Sequence, residues 1–320
     1  MRLSTGPLKA DTSPTHLVRP LLPTLIALLL AGSAQDASAT WPGANGRIAF
    51  EVSDAWSCGD DGCYGSRYLL ASVAPDGSRL RTLVVGGFDP AFSANGRRLA
   101  YAGGLHGDRI YVAWPDGSHR RFLTPGSSPA WSPTGTHIAF ERSSAAGTFI
   151  HTIRLNGKAE RVIAQGTDPA WSVNNVLAYA QDGIWVVNPD GGGLRQLDAA
   201  AGDTAPRWSA DGSRIVFMRG YGGPVCGIPE DDSVAYEVDS AGTRVRRLRT
   251  AGDPVWSPDG RLLAFSAFDG ISLAARRGPP RRLVAIKPFE RPGDGDGEGY
   301  DPLCGEEGLL DADWQPRPRR

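Results

Sequence analysis

Four aspartates stand at the same place in separate copies of one short pattern, three residues ahead of an aromatic. They are Asp89 before Phe92, Asp168 before Trp171, Asp253 before Trp256 and Asp311 before Trp314, while Ser128 and Ala205 hold the position in two further copies. Carboxylates gathered into a ring focus a negative potential on whatever the ring encloses, which suits a cation or a basic peptide. The competing reading is conformational, because an Asp ahead of Pro also closes a turn on its own backbone. A second acidic group, Asp294, Asp296 and Glu298, alternates with glycine. A calcium loop of the EF-hand kind needs an acidic twelfth residue, and Gly305 stands there with Glu306 one place late. The tract is a weak calcium candidate, and a solvated loop is the alternative.

Other catalytic signatures are missing. The sequence has no G-x-S-x-G elbow, hence no nucleophile of the hydrolase type. His106, His119, His137 and His151 fit neither H-E-x-x-H nor H-x-H, and His137 and His151 read as ordinary sheet residues because metal sites need clustered ligands. Cys58, Cys63, Cys226 and Cys304 lack paired C-x-x-C spacing. Export favours disulfides, and the favoured pairing is Cys58 with Cys63 and Cys226 with Cys304, among three possible connectivities. A four-thiolate zinc site is the alternative. The chain therefore reads as non-catalytic rather than as an enzyme, with no cofactor required.

Whatever these residues do, a repeat must position them. Asp89-Pro90-Ala91-Phe92-Ser93, Ser128-Pro129-Ala130-Trp131-Ser132, Asp168-Pro169-Ala170-Trp171-Ser172, Ala205-Pro206-Arg207-Trp208-Ser209 and Asp253-Pro254-Val255-Trp256-Ser257 are its first strands. A glycine turn such as Ala210-Asp211-Gly212 follows most of them, and then a run such as Leu99-Ala100-Tyr101 or Ile138-Ala139-Phe140. Two more short runs complete each unit, joined by turns whose Asn, Asp and Gly accept the positive φ that tight hairpins need. Four strands in about 40 residues mark a propeller blade. The first copy, Ile48-Ala49-Phe50, lacks its leading strand, and Asp311-Ala312-Asp313-Trp314 at the other end supplies it. The fold expected is all-β: a six-bladed propeller of four-stranded antiparallel blades, closed by the C-terminal strand joining the first blade.

These repeats resemble the TolB-like propeller repeat, also called WD40-like or PD40, whose consensus runs close to Pro-x-Trp-Ser-Pro-Asp-Gly and then Ile-Ala-Phe. The resemblance covers nearly everything after residue 41 and speaks to fold more than to activity. It implies a stand-alone secreted member, since TolB carries an α/β domain ahead of its propeller for which residues before the first repeat leave no room. It also implies that a partner segment can dock at the central channel.

Residues 1–39 read as a signal peptide, with Arg2, Lys9 and Arg19 ahead of an apolar run from Leu21 to Ala31 and small residues Ala37-Ser38-Ala39 for cleavage. Residues 40–320 are expected to form the single propeller domain. The apolar run is too short to span a bilayer, and none elsewhere is long enough. A net charge of −1 gives no reason to expect nucleic acid. Three long segments, Ser53 to Arg67, Gly220 to Ser233 and Lys287 to Leu310, fall on the face opposite the glycine turns, in blades that neighbour one another. The expectation is a monomeric, secreted or periplasmic binding or scaffold module for a protein or peptide partner. It would use that face and the channel mouth at Asp89, Ser128, Asp168, Asp253 and Asp311. A carboxylate-dependent glycan hydrolase or lyase and a purely structural envelope protein are the alternatives.

Overall fold

The computed structural model describes residues 41–57, 64–220, 234–267, 270–275, 280–285 and 312–317. The signal region, all four cysteines, Asp311 and the Asp294, Asp296 and Glu298 tract lie outside them.

Blade 1 holds β1 (Asn45–Ser57), β2 (Tyr64–Val73) and β3 (Arg81–Val85). Blade 2 is β4 (Gly87–Phe92), β5 (Leu99–Gly103), β6 (Arg109–Ala113) and β7 (Arg121–Pro125). Blade 3 is β8 (Ser127–Trp131), β9 (His137–Ser144), β10 (Gly147–Arg154) and β11 (Arg161–Gln165), and blade 4 is β12 (Thr167–Trp171), β13 (Leu177–Ala180), β14 (Ile184–Val187) and β15 (Arg195–Asp198). Blade 5 is β16 (Asp203–Trp208), β17 (Arg214–Arg219), β18 (Val234–Asp239) and β19 (Val245–Ala251). Blade 6 is β20 (Pro254–Trp256), β21 (Leu262–Ala267), β22 (Gly270–Ala275) and β23 (Pro280–Ala285). The last strand, β24 (Ala312–Pro316), joins blade 1 in the order β24-β1-β2-β3, antiparallel to β1 with Trp314 opposite Ile48. The inner strands touch in a closed cycle, β24 to β4, β8, β12, β16, β20 and back to β24.

Each signature residue has a structural task. The aromatic fills the space between blades: Phe92, Trp131, Trp171, Trp208, Trp256 and Trp314 are all buried. The residue before it is Ala or Val in four of the six copies, Ala91, Ala130, Ala170 and Val255, and the next blade's aromatic can lie against it. The Trp131 indole N–H, for example, donates to the Ala91 carbonyl at 3.0 Å. The following serine ties the turn, as its Oγ accepts from the backbone N–H on the far side: Arg98 to Ser93, His137 to Ser132, Arg214 to Ser209 and Leu262 to Ser257, each at 2.9–3.0 Å. Second strands are apolar at successive positions, as in Leu99-Ala100-Tyr101, because neighbouring blades cover both of their faces. Outer strands are largely exposed, with β7 buried only at Leu123 and Thr124. The arginine pairs Arg246-Arg247 and Arg281-Arg282 lie on such outer strands, β19 and β23, where charge discourages pairing with another chain.

Two features differ from the expected outline. Most of Ser53 to Arg67 is not loop: β1 and β2 stay in register out to Ser57 opposite Tyr64, so blade 1 carries a projecting hairpin. Its mixed polar sequence lacks the apolar run that marks the other strands. The segment from Trp41 to Ala44 also forms a strap across the end of blade 1. The buried Trp41 indole N–H donates to the Phe92 carbonyl of blade 2 at 3.1 Å, and the Gly43 N–H donates to the Pro258 carbonyl of blade 6 at 3.0 Å.

Candidate functional site

The first position of the repeat lies inside a bulge. Asp89, Ser128, Asp168 and Ala205 adopt positive φ of 49°, 51°, 60° and 51°. Around them the pairing of inner with second strand slips, between Phe88 and Ala91, Ser127 and Ala130, Thr167 and Ala170, and Thr204 and Arg207. A bulge of this kind bends the strand and re-aims a side chain. Asp and Ser tolerate the left-handed region through local polar contacts, whereas Ala205 has no such compensation. Blade 6 shows no slip, and Asp253 stands just ahead of β20.

The re-aimed side chains cross to the next blade. Asp89 Oδ2 accepts from the Ser128 N–H at 3.0 Å, joining blade 2 to blade 3, and Asp168 Oδ2 accepts from the Ala205 N–H at 3.1 Å, joining blade 4 to blade 5. Blade 3 has Ser128 at this position, and its second strand supplies the carboxylate instead: Glu141 Oε2 accepts from the Asp168 N–H at 3.1 Å. Blade 5 has Ala205, and its Arg207 guanidinium reaches the Asp253 carboxylate of blade 6 at 3.2 Å. Asp313 of β24 accepts from the Phe92 N–H at 2.5 Å, joining blade 1 to blade 2. The remaining junction, blade 6 to blade 1, carries the Gly43 bond and an Asp259 N–H donated to Asn45 Oδ1 at 3.2 Å. A polar clasp therefore spans every junction of the ring.

These groups are withdrawn from solvent. Asp89, Ser128, Asp168 and Asp253 are all buried, at no more than 6% exposure. They sit within or directly against inner strands, directed between blades rather than closing their own turns. Burial pushes the Asp168 carboxyl up to about 7, further raised by Asp253 and opposed by the Ala205 N–H and the Arg207 charge. Its Oδ1 has no hydrogen-bond partner. Burial likewise raises Glu141, against hydrogen bonds from the Asp168 N–H, Ser127 and Ser128. Asp168, Arg207 and Asp253 thus form one buried electrostatic run across three successive blades. Asp89, Glu141 and Asp168 hold backbone N–H groups of the next blade, and Asp253 holds the Arg207 guanidinium.

Glu141, Arg207, Asp313 and Trp41 belong to this arrangement without having been singled out by the repeat. Arg207 and Asp313 stand where other copies have Ala or Val, and a charge at a small apolar position of a buried strand is the signal that reveals them. Among the histidines, His151 lies over the Phe140 ring and 2.9 Å from the Glu160 carboxylate. Among the described residues no cluster of His, Cys, Asp or Glu is arranged to hold a metal ion. No helix of the described residues is long and apolar enough to cross a membrane.

Six four-stranded antiparallel blades, closed by β24 and clasped at each junction, define a β-propeller. No family model matches the chain. Over 78 residues it is 40% identical to the Tol-Pal system protein TolB 1 of Novosphingobium aromaticivorans, a stretch covering 23% of this chain and 16% of that protein. Over 130 residues it is 30% identical to the Protein TolB homolog of Chlorobium luteolum, covering 36% of this chain and 30% of that protein. The matches thus span less than a third of either curated relative. The crystal structure of TolB from Acinetobacter baumannii superposes with a TM-score of 0.61 at 17% identity, over 85% of this chain and 67% of that one. The chain is a six-bladed β-propeller, similar in fold to TolB and, over part of its length, in sequence to TolB proteins.

Proposed function

We propose that the chain is an exported, non-catalytic propeller that binds a protein or peptide partner across the face bearing its longer loops and the adjoining mouth of the axis. The observation that supports this reading is what the recurring carboxylates do: they are buried clasps between blades, so they make the ring a rigid frame. A rigid frame leaves recognition to the loops it positions. The hairpin of blade 1, which joins the second and third strands of its blade, is one such element, and from their place in the repeat Gly220 to Ser233 and Lys287 to Leu310 are expected to be others. One curated relative is named for the Tol-Pal system, which is in keeping with a protein partner. The N-terminal pattern and the four cysteines support export to a periplasmic or extracellular compartment. Asp89, Ser128, Asp168, Asp253 and Asp311 would hold the blades around that mouth rather than meet the partner.

The test is capture from envelope extract with the full chain, followed by crosslinking to identify residues in contact. One identified protein crosslinked to the hairpin or to 221–233, and lost when that segment is replaced by a short Gly-Ser turn, supports the proposal. Turnover of a glycan or peptide substrate that the Asp89→Asn, Asp168→Asn and Asp253→Asn variants abolish would overturn it in favour of an enzyme.

A further inference from the structure

Away from the axis, blades 1 and 2 diverge and leave a cleft of about 370 Å³. Its wall on the blade 2 side holds Tyr101 and Tyr111, the inner rungs of an aromatic ladder. Tyr101 of β5 pairs with Tyr111 of β6, and Tyr111 pairs with Phe122 of β7. The Tyr101 and Tyr111 rings are stacked at 5.5 Å and 17°, and Phe122 meets Tyr111 edge-on at 5.9 Å. On the other side lie Val85 and Gly86, where the chain leaves blade 1. Gly103 keeps the cleft open near Tyr111, since a Cβ there would stand 3.3 Å from the tyrosine ring.

Two polar groups of this cleft, the Tyr101 hydroxyl and the Arg120 guanidinium, face each other. The Tyr101 side chain is 1% exposed, and its buried hydroxyl makes no well-formed hydrogen bond, although Arg120 lies within reach of it. A buried hydroxyl left unsatisfied is costly, and such groups call for a partner. Arg120, at the solvent side, forms no ion pair among the described residues. Its hydrogen bonding to the Tyr101 phenol, and then its charge, oppose the rise that burial imposes there. At the rim, Leu105 and Val85 are 88% and 64% exposed, unusually bare for large apolar side chains. Apolar rim, aromatic wall, one buried hydroxyl and one guanidinium without an ion pair among the described residues make up the lining of a small-ligand pocket, and the volume falls in the range such pockets occupy.

We infer that this cleft binds a small molecule joining a planar ring to a carboxylate. The ring packs along Tyr111 between Leu105 and Val85, and the carboxylate receives the fork of Arg120. The Tyr101 hydroxyl supplies the inner hydrogen bond. The inference does not rest on the partner reading, for none of these residues belongs to the axial clasps or to the longer loops.

The probes are 2-naphthoate and its neutral counterpart 2-naphthamide, titrated calorimetrically against the full chain. Naphthoate is expected to bind at least about tenfold more tightly than the amide, since a hydrogen bond to a charged group outweighs a neutral one. Arg120→Gln, at an exposed position, should weaken naphthoate about ten- to a hundredfold and leave naphthamide unchanged. Tyr101→Phe should weaken both by several-fold while the melting temperature holds. Equal affinity for acid and amide, naphthoate binding indifferent to Arg120→Gln, or no naphthoate binding at millimolar concentration would each overturn the assignment.

Discussion

Asp168 carries the pH dependence that can be read at the level of single residues. Unfolded, its carboxyl titrates near 4; folded, burial holds it to about 7. Between those values the folded state binds more protons than the unfolded, so the contribution of this group is full below about pH 4 and is lost as pH rises through 7. Asp211 has the opposite sign. Burial pushes it up, but the hydrogen bonds of Ser209 and Ser213 outweigh this and hold it at about 2, so its contribution is present above pH 4 and lost as pH falls toward 2. Asp168→Asn keeps an oxygen for the Ala205 N–H and removes the ionisation. Its melting temperature should match that of the parent near pH 4.5 and exceed it by several degrees at pH 8, the difference being on the order of a few kcal/mol at most. Parallel melting profiles for parent and variant would place the titration elsewhere. The outcome also bears on the partner reading, because a gain in stability on removing a charge is what a buried clasp gives and an open recognition group does not.

At the scale of elements, the bulged inner strand explains both what could be read from the sequence and what could not. The glycine turns, the apolar second strands and the displaced Trp314 were legible because each is a local pattern with its own period. The direction of Asp89 and Asp168 was not. Asp-Pro usually marks a turn, and only the slip in pairing shows that here it marks a bulge within a strand. Glu141 and Arg207 were hidden for a second reason, since each makes its clasp with a residue 27 and 46 positions away, in another blade. The blade 5 to blade 6 clasp offers a direct test. Arg207→Met removes a cation from beside a buried carboxylate and should destabilise by about 3–5 kcal/mol. Adding Asp253→Asn should recover a substantial part of that loss. A double-mutant cycle in denaturant measures the coupling, and additive effects would mean that the 3.2 Å pair does not hold the two blades together.

For the whole molecule, the question is what closure requires: the covalent return of β24, or the packing it brings. Trp314 is fully buried against blade 1, its indole N–H donates to the Gly46 carbonyl at 3.3 Å, and Asp313 reaches Phe92 in blade 2. Deleting residues 312–320 removes all of these together, leaving β1 with an unpaired edge and an aromatic-sized gap. Loss of a buried Trp alone costs about 3–5 kcal/mol, so the deletion should abolish a cooperative melt and expose apolar surface. A circular permutant separates the two effects. The Arg317 N–H donates to the Ala44 carbonyl at 2.9 Å, so a short Asn-Gly turn can join β24 directly to β1 and make blade 1 continuous, like the other five. That permutant keeps Trp314, Asp313 and the side-chain clasps, and gives up the strap of Trp41 to Gly43 together with the chain linking blade 6 to blade 1. It is expected to melt cooperatively at a lower temperature than the parent and well above the deletion, as followed by near-ultraviolet circular dichroism. A permutant no better than the deletion would show that the ring depends on its covalent fastening; one equal to the parent would show that side-chain clasps and aromatic packing suffice.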